Sequence, residues 1–150
     1  MQLEKLKQHI SSLINSSKSK DEKLQSICDY LEEEISYYDW VGFYFKNGNK
    51  NELKLAQFTG EPTEHIIIPF GKGICGQVAV SNENFVVQDV SEQDNYISCG
   101  WKVKSEIVIP IFVNEENIGQ IDIDSHTANI FTKKDEELLE YTCTEVSKIL

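Results

Sequence analysis

The sequence predicts an α+β fold, in which helices from both ends of the chain pack on one face of a central antiparallel sheet of about six strands. Apolar residues recur at helical spacing near the two ends, and in the segments between they alternate with polar residues or form short β-branched runs. A run of strands bounded by helices is typical of this class. The other face of the sheet is then free for loops to cover a pocket.

The helices follow from apolar residues spaced three and four apart. Residues 2–15 indicate a first amphipathic helix, and residues 21–36 indicate a second with Asp21 as its N-cap. Near the C-terminus, Thr132 followed by Asp135 resembles a capping box and opens a third helix.

The strands follow from a change of the apolar period to two. Asn47-Gly48-Asn49 lies between aromatic and β-branched arms and indicates a β-hairpin, and Asn114-Glu115-Glu116 indicates a second. The predicted strands cover residues 40–46, 52–58, 66–69, 85–90, 107–113 and 117–124.

Composition bounds the class of protein. A chain of 150 residues with 40% hydrophobic and 26% charged residues is expected to form a single domain, residues 1–150, with a sizeable core. A net charge of -11 disfavours nucleic acid and anionic membrane surfaces as partners, because both attract basic proteins. The charged N-terminus does not resemble a secretory signal, so we expect a cytoplasmic protein.

The four cysteines are expected to be free thiols in a reducing compartment. Cys28 and Cys143 lie on apolar helical stripes, which indicates packing. Cys99 lies in a polar, glycine-containing loop, residues 95–106, where a thiol can reach solvent and ionise; the alternative is an ordinary loop residue. No CxxC pair occurs and the three histidines are scattered, so no metal site is predicted.

A glycine-rich segment, Gly71-Lys72-Gly73-Ile74-Cys75-Gly76, matches the G-x-G-x-x-G pattern of dinucleotide-binding proteins. That pattern needs a parallel βαβ unit, whereas the preceding strands indicate an antiparallel meander. We therefore interpret the glycines as a tight strand-to-helix turn. For Cys75 a core position and a functional thiol remain equally open.

Three acidic residues are candidates for ligand binding. Asp122 and Asp124 alternate with Ile121 and Ile123 on one predicted strand, so both carboxylates share a face. Glu106, at the start of the neighbouring strand, would bring a third carboxylate and raise the pKa of at least one of them. The alternative is a solvated sheet face in an acidic protein.

Two aromatic residues share a face of the first predicted strand. Trp40 and Tyr44 flank Gly42 on that face. Core packing is the usual role of strand aromatics, and the gap left by the glycine would also suit the wall of a small apolar pocket.

Together these segments resemble a known family. Residues 68–90 are similar to the central part of GAF domains, and four motifs, WVGFY, GKGICG, SEIVIPI and IGQIDIDS, resemble free methionine-(R)-sulfoxide reductases of that fold. The resemblance implies a GAF-like fold, reduction of free methionine sulfoxide by a thiol, no cofactor and a homodimer. By position it implies a sulfenic-acid-forming Cys99, substrate-binding acids Glu106, Asp122 and Asp124, an aromatic pocket of Trp40 and Tyr44, and a second family cysteine, Cys75.

The sequence departs from the family at one position. The family usually has a recycling cysteine four residues before the proline that corresponds to Pro69, and here that position holds His65. Recycling is therefore expected from Cys75 or from an external, thioredoxin-like thiol reductant. The competing interpretation is a non-catalytic GAF module that senses a small molecule or dimerises.

Overall fold

The computed structural model describes residues 1–93 and 102–150, and its secondary structure confirms the predicted α+β fold. In the described ranges six strands form one antiparallel sheet in the order β3-β2-β1-β6-β5-β4. The helices are α1 (Leu3–Ile14), α2 (Lys20–Glu34), α3 (Gly73–Ser81) and α4 (Lys133–Ser147). The strands are β1 (Trp40–Lys46), β2 (Glu52–Thr59), β3 (Ile67–Pro69), β4 (Phe85–Val87), β5 (Ser105–Val113) and β6 (Glu116–Ser125).

Two predicted boundaries were wrong for local reasons. Helix α2 is capped by the Ser19 hydroxyl, which accepts a hydrogen bond from the Glu22 N–H, rather than by Asp21. Strand β4 ends at Val87 instead of residue 90, because Asp89 accepts a hydrogen bond from the Ser91 N–H and starts a short 3-10 turn.

One face of the sheet carries α1, α2 and α4, as predicted. Their apolar stripes form a single buried cluster with the inward side chains of β1, β5 and β6, and Cys28 and Cys143 are both buried in it. At the N-terminus of α4, the Asp135 carboxylate accepts a hydrogen bond from the Thr132 N–H at 2.8 Å, which confirms this part of the predicted capping box. It also accepts from the hydroxyls of Tyr37 at 2.7 Å and Tyr38 at 2.8 Å.

The opposite face is covered by helix α3, which is the helix expected after the glycine-rich turn, whereas loops were expected to cover this face. Ile74, Cys75 and Val78 of this helix pack into a second buried cluster over the sheet. The glycine-rich segment makes the turn into α3: Gly71 and Gly73 have φ of +85° and +62°, a region that favours glycine. The sheet offers no parallel βαβ unit in the described ranges, so the turn interpretation of these glycines is confirmed.

In the described ranges no helix combines the length and the apolar character that crossing a lipid bilayer requires.

Candidate active site

The three predicted acids lie together on the face covered by α3. In the register of the sheet, Glu106 of β5 is opposite Asp124 of β6, and Asp122 is opposite Gly42 of β1. Ile121 and Ile123, the alternate residues of β6, point into the helical core on the other face, as predicted. Glu106, Asp122 and Asp124 are only 3%, 1% and 1% exposed, so the interpretation of a solvated acidic face was wrong.

A small cavity separates these strands from α3. Its lining includes Tyr44 of β1, His65, Cys75 of α3, Glu106 and Asp122. The centre of a water molecule can occupy a volume of about 10 Å³ inside this cavity, so the cavity can hold about one water molecule. The position that departs from the family pattern, His65, therefore lies at the same cavity as a predicted functional thiol and two predicted acids.

The Cys75 thiol is held among the carboxylates. Its Sγ donates to Glu106 Oε2 at 3.8 Å, and the side chain is buried. Burial raises the pKa of Cys75 well above its usual value, and the nearby Asp122, Glu106 and Asp124 raise it further. A thiol in these surroundings is neutral near pH 7 and a poor nucleophile, since the thiolate is the reactive form.

The Asp122 carboxyl carries the raised pKa that the sequence predicted for the acidic group. The main cause is burial rather than the like charge of a neighbour, and contacts with Glu106 and Cys75 moderate the rise. Neither oxygen of Asp122 makes a well-formed hydrogen bond in the part of the chain that the structure describes. An ionised Asp122 is therefore poorly compensated by its surroundings.

The two aromatic residues have different places. Tyr44 lines the cavity, and its hydroxyl donates to the backbone carbonyl of His65 at 2.8 Å. The indole of Trp40 lies over Gly42, so a Cβ added to this glycine would be only 2.3 Å from the indole. Trp40 also stacks on Phe58 at a centroid distance of 5.6 Å. The gap predicted as a pocket wall is thus filled by the indole of Trp40 itself, which lies outside the described lining.

Sequence reasoning missed one residue of the site, Gln120. Its side chain is buried on the same face of β6 as Asp122, and its Nε2 donates to the backbone carbonyl of Cys75 at 3.1 Å. This bond ties the first turn of α3 to the sheet. The same period of two that identified Asp122 and Asp124 could have identified it.

Cys99 falls among residues 94–101, outside the described residues, so its role as nucleophile stays a prediction. Cys75, Glu106 and Asp122 form the group in the described ranges that could ligate a metal ion, since one ligand atom from each lies within 4.8 Å of the others.

Comparison with known proteins decides the family. A family model described as a GAF domain matches residues 17–150. The chain belongs to the GAF domain family. This GAF domain is 34% identical to GAF domain-containing protein A of Dictyostelium discoideum over 99% of the chain and 90% of that protein.

Two further relatives carry the name of an enzyme. The Escherichia coli free methionine-R-sulfoxide reductase is 34% identical over 80% of this chain and 71% of that protein. The free methionine-R-sulfoxide reductase of Neisseria meningitidis, solved in complex with its substrate, superposes with a TM-score of 0.92 at 31% identity, covering 98% of this chain and 87% of that structure.

Proposed function

We propose that this GAF domain reduces free methionine sulfoxide to methionine, with Cys99 as the nucleophile. The observation that carries the proposal is the burial of Glu106, Asp122 and Asp124 on one face of the sheet, beside a cavity. Burying several carboxylates together is costly because their negative charges repel and lose hydration, so such a site is suited to a cationic group. The names of the reductase relatives supply the substrate class.

In this proposal the carboxylates hold the ammonium group of the substrate. Charge-assisted hydrogen bonds from the ammonium would compensate the buried negative charge and fix the orientation of the amino acid. Its methyl group would lie against Tyr44, with Trp40 next to it at a ring distance of 6.3 Å. Because the cavity has room for about one water molecule, the surrounding side chains must move apart when the substrate binds.

The chemistry is a transfer of oxygen from one sulfur to another. The Cys99 thiolate attacks the sulfoxide sulfur and forms an S–S bond, while a protonated acid of the cluster donates a proton to the sulfoxide oxygen. Transfer of the resulting hydroxyl to Cys99 Sγ breaks the S–S bond and the S–O bond of the substrate and releases methionine. The methionine sulfur gains two electrons, Cys99 loses two, and the oxygen ends as the hydroxyl of a Cys99 sulfenic acid.

The sulfenic acid must then be reduced by another thiol. Attack by Cys75 would form a disulfide and release water, but the buried, neutral Cys75 thiol is a slow nucleophile. An external dithiol of the thioredoxin type can attack Cys99 first, form a mixed disulfide with loss of water, and resolve it with its second thiol. We favour this external route, with the protein acting as a homodimer.

The test is single-turnover methionine formation from each sulfoxide epimer, with and without an added dithiol. The wild type should produce methionine and Cys99→Ser should not, while Cys28→Ser, which changes a buried thiol on the opposite face of the sheet, should behave as the wild type. Equal turnover by the wild type and Cys99→Ser would exclude Cys99 as the nucleophile.

A second candidate function is a non-catalytic sensor of a small amino-acid-like ligand. His65 at the cavity favours it, because the usual recycling thiol is missing there. Titration of free thiols after addition of methionine sulfoxide separates the two functions: an enzyme loses one or two thiols per chain, and a sensor loses none.

A further inference from the structure

Cys75, Glu106 and Asp122 meet at the small cavity, and Asp122 is the member of this group that lacks a well-formed hydrogen bond in the described ranges. A thiol carries one proton, and the Cys75 proton is directed at Glu106. Asp122, which is 1% exposed and lines the same cavity, then has no well-formed hydrogen bond for either oxygen in the described ranges. One cation bound between the three side chains would give the buried Asp122 carboxylate the partner that it lacks there.

The separations suit a small divalent ion. A tetrahedral Zn²⁺ lies about 2.3 Å from a thiolate sulfur and about 2.1 Å from a carboxylate oxygen, which places those two ligand atoms about 3.6 Å apart. The observed distance from Cys75 Sγ to Glu106 Oε2 is 3.8 Å. The ligand atom of Asp122 lies within 4.8 Å of both, a gap that side-chain rotation can close.

We propose that this GAF domain binds Zn²⁺ through Cys75 Sγ and one oxygen each of Glu106 and Asp122. A thiolate among the ligands selects zinc over magnesium and calcium, which prefer sites built of oxygen alone. The proton of the thiol is released to solvent as the metal binds. The cavity, with room for about one water molecule, provides the fourth position. Spacing along the chain predicts no metal site here, because the three ligands come from separate segments.

The metal and the substrate would compete, and this second step rests on the proposed function. Both would use the negative charge of Glu106 and Asp122, so a bound Zn²⁺ leaves no partner there for an ammonium group. It would also hold the Cys75 thiolate away from oxidants and from thiol exchange. Zinc would thus act as an inhibitor that protects the resting site.

The test is a zinc titration of the reduced, metal-free protein against a chromophoric chelator. The wild type should bind one Zn²⁺ per chain, and Cys75→Ser and Glu106→Gln should each bind at least about 100-fold more weakly, since even the loss of an outer-shell partner costs 10–100-fold. Cys28→Ser is the matched control and should bind as the wild type. Co²⁺ in place of Zn²⁺ should give a thiolate-to-metal charge-transfer band that Cys75→Ser lacks.

Three outcomes would overturn the proposal: no binding by the wild type, binding by Cys75→Ser within a few-fold of the wild type, or binding unaffected by Glu106→Gln. Circular dichroism establishes that each variant folds, and Glu106→Gln decides the matter if Cys75→Ser does not fold. Addition of methionine sulfoxide should weaken zinc binding. If zinc binds at Cys75 and the sulfoxide has no effect on it, the metal site stands and the proposed ammonium subsite is wrong.

Discussion

Replacement of Asp122 by asparagine should stabilise the protein at neutral pH and weaken the binding of substrate. Burial raises the pKa of the Asp122 carboxyl, so the folded chain holds this proton more tightly than the unfolded chain does. Stability from this group is fully present below the unfolded-state pKa and is lost as pH rises through the folded-state pKa. At pH 7 the ionised group therefore lowers the stability of the folded chain.

The size of the effect follows from two opposing contributions. Asp122→Asn removes the cost of ionisation and keeps the shape of the side chain. Its amide can donate to Glu106, whereas a buried amide group left without a partner costs about 1 kcal/mol. A buried charged group without full hydrogen bonding costs more than the about 1–3 kcal/mol of a neutral one, so we expect a net gain on the order of 1–2 kcal/mol, which in a chain of this length raises Tm by about 2–8 °C.

The assay is urea unfolding of the wild type and Asp122→Asn between about pH 4 and pH 7. The gain should be largest at pH 7 and should shrink towards the unfolded-state pKa of an aspartate, about 3.9. Asp89→Asn is a control of opposite sign, because hydrogen bonds from Ser91 lower the pKa of Asp89. The charge of Asp89 therefore adds stability above the unfolded-state pKa, and this stability is lost as pH falls through the lower folded-state pKa.

Substrate binding provides the second half of this prediction. If the carboxylate of Asp122 binds the ammonium group, loss of a charged hydrogen bond worth about 1.5–3 kcal/mol should raise KM about 10- to 150-fold. The electrostatic account would be refuted if Asp122→Asn were less stable than the wild type at pH 7. It would also be refuted if the free energies of unfolding of the two proteins differed by the same amount at pH 4 and pH 7.

The remaining predictions concern packing and thiol reactivity. Asp135→Asn should lower stability by about 3 kcal/mol in thermal or urea unfolding, because the buried carboxylate accepts from two tyrosine hydroxyls and a backbone N–H; a loss under 1 kcal/mol would contradict this. Gly42→Ala should cost about 1–3 kcal/mol and shift tryptophan fluorescence, since its Cβ would lie 2.3 Å from the indole; an unchanged emission maximum would mean that the indole does not move. Native alkylation near pH 7, followed by mass spectrometry, should modify Cys99 at least about ten-fold faster than the three buried thiols, whose pKa values are all raised; faster labelling of Cys75 would contradict this.

The parts of the site that the sequence could predict are those set by local period. The alternation of Asp122 and Asp124 with two isoleucines determines which face of β6 carries the acids, because adjacent residues of a strand point to opposite faces. Spacing along the chain likewise predicted the helices and both hairpins. These features depend on neighbours a few residues apart.

The parts that the sequence could not predict depend on contacts between distant segments. Nothing local indicates that α3 would cover the acids, or that the indole of Trp40 would fill the space over Gly42. The depth of burial of Asp122 has the same origin. Its carboxylate is excluded from water by a helix that the chain forms more than forty residues earlier, and the period of a strand carries no information on that distance.

The hydrogen bond between Tyr44 and residue 65 has a consequence for how this position can vary. The tyrosine hydroxyl donates a hydrogen bond to the main-chain carbonyl of residue 65, a group that every amino acid possesses. The loop is therefore anchored at the cavity whatever side chain it presents there, and the exchange of an imidazole for a sulfhydryl at that point needs no rebuilding of the backbone. Under the proposed function, a sulfhydryl at residue 65 would let the chain convert its own sulfenic acid to a disulfide, and an external dithiol would still have to reduce that disulfide.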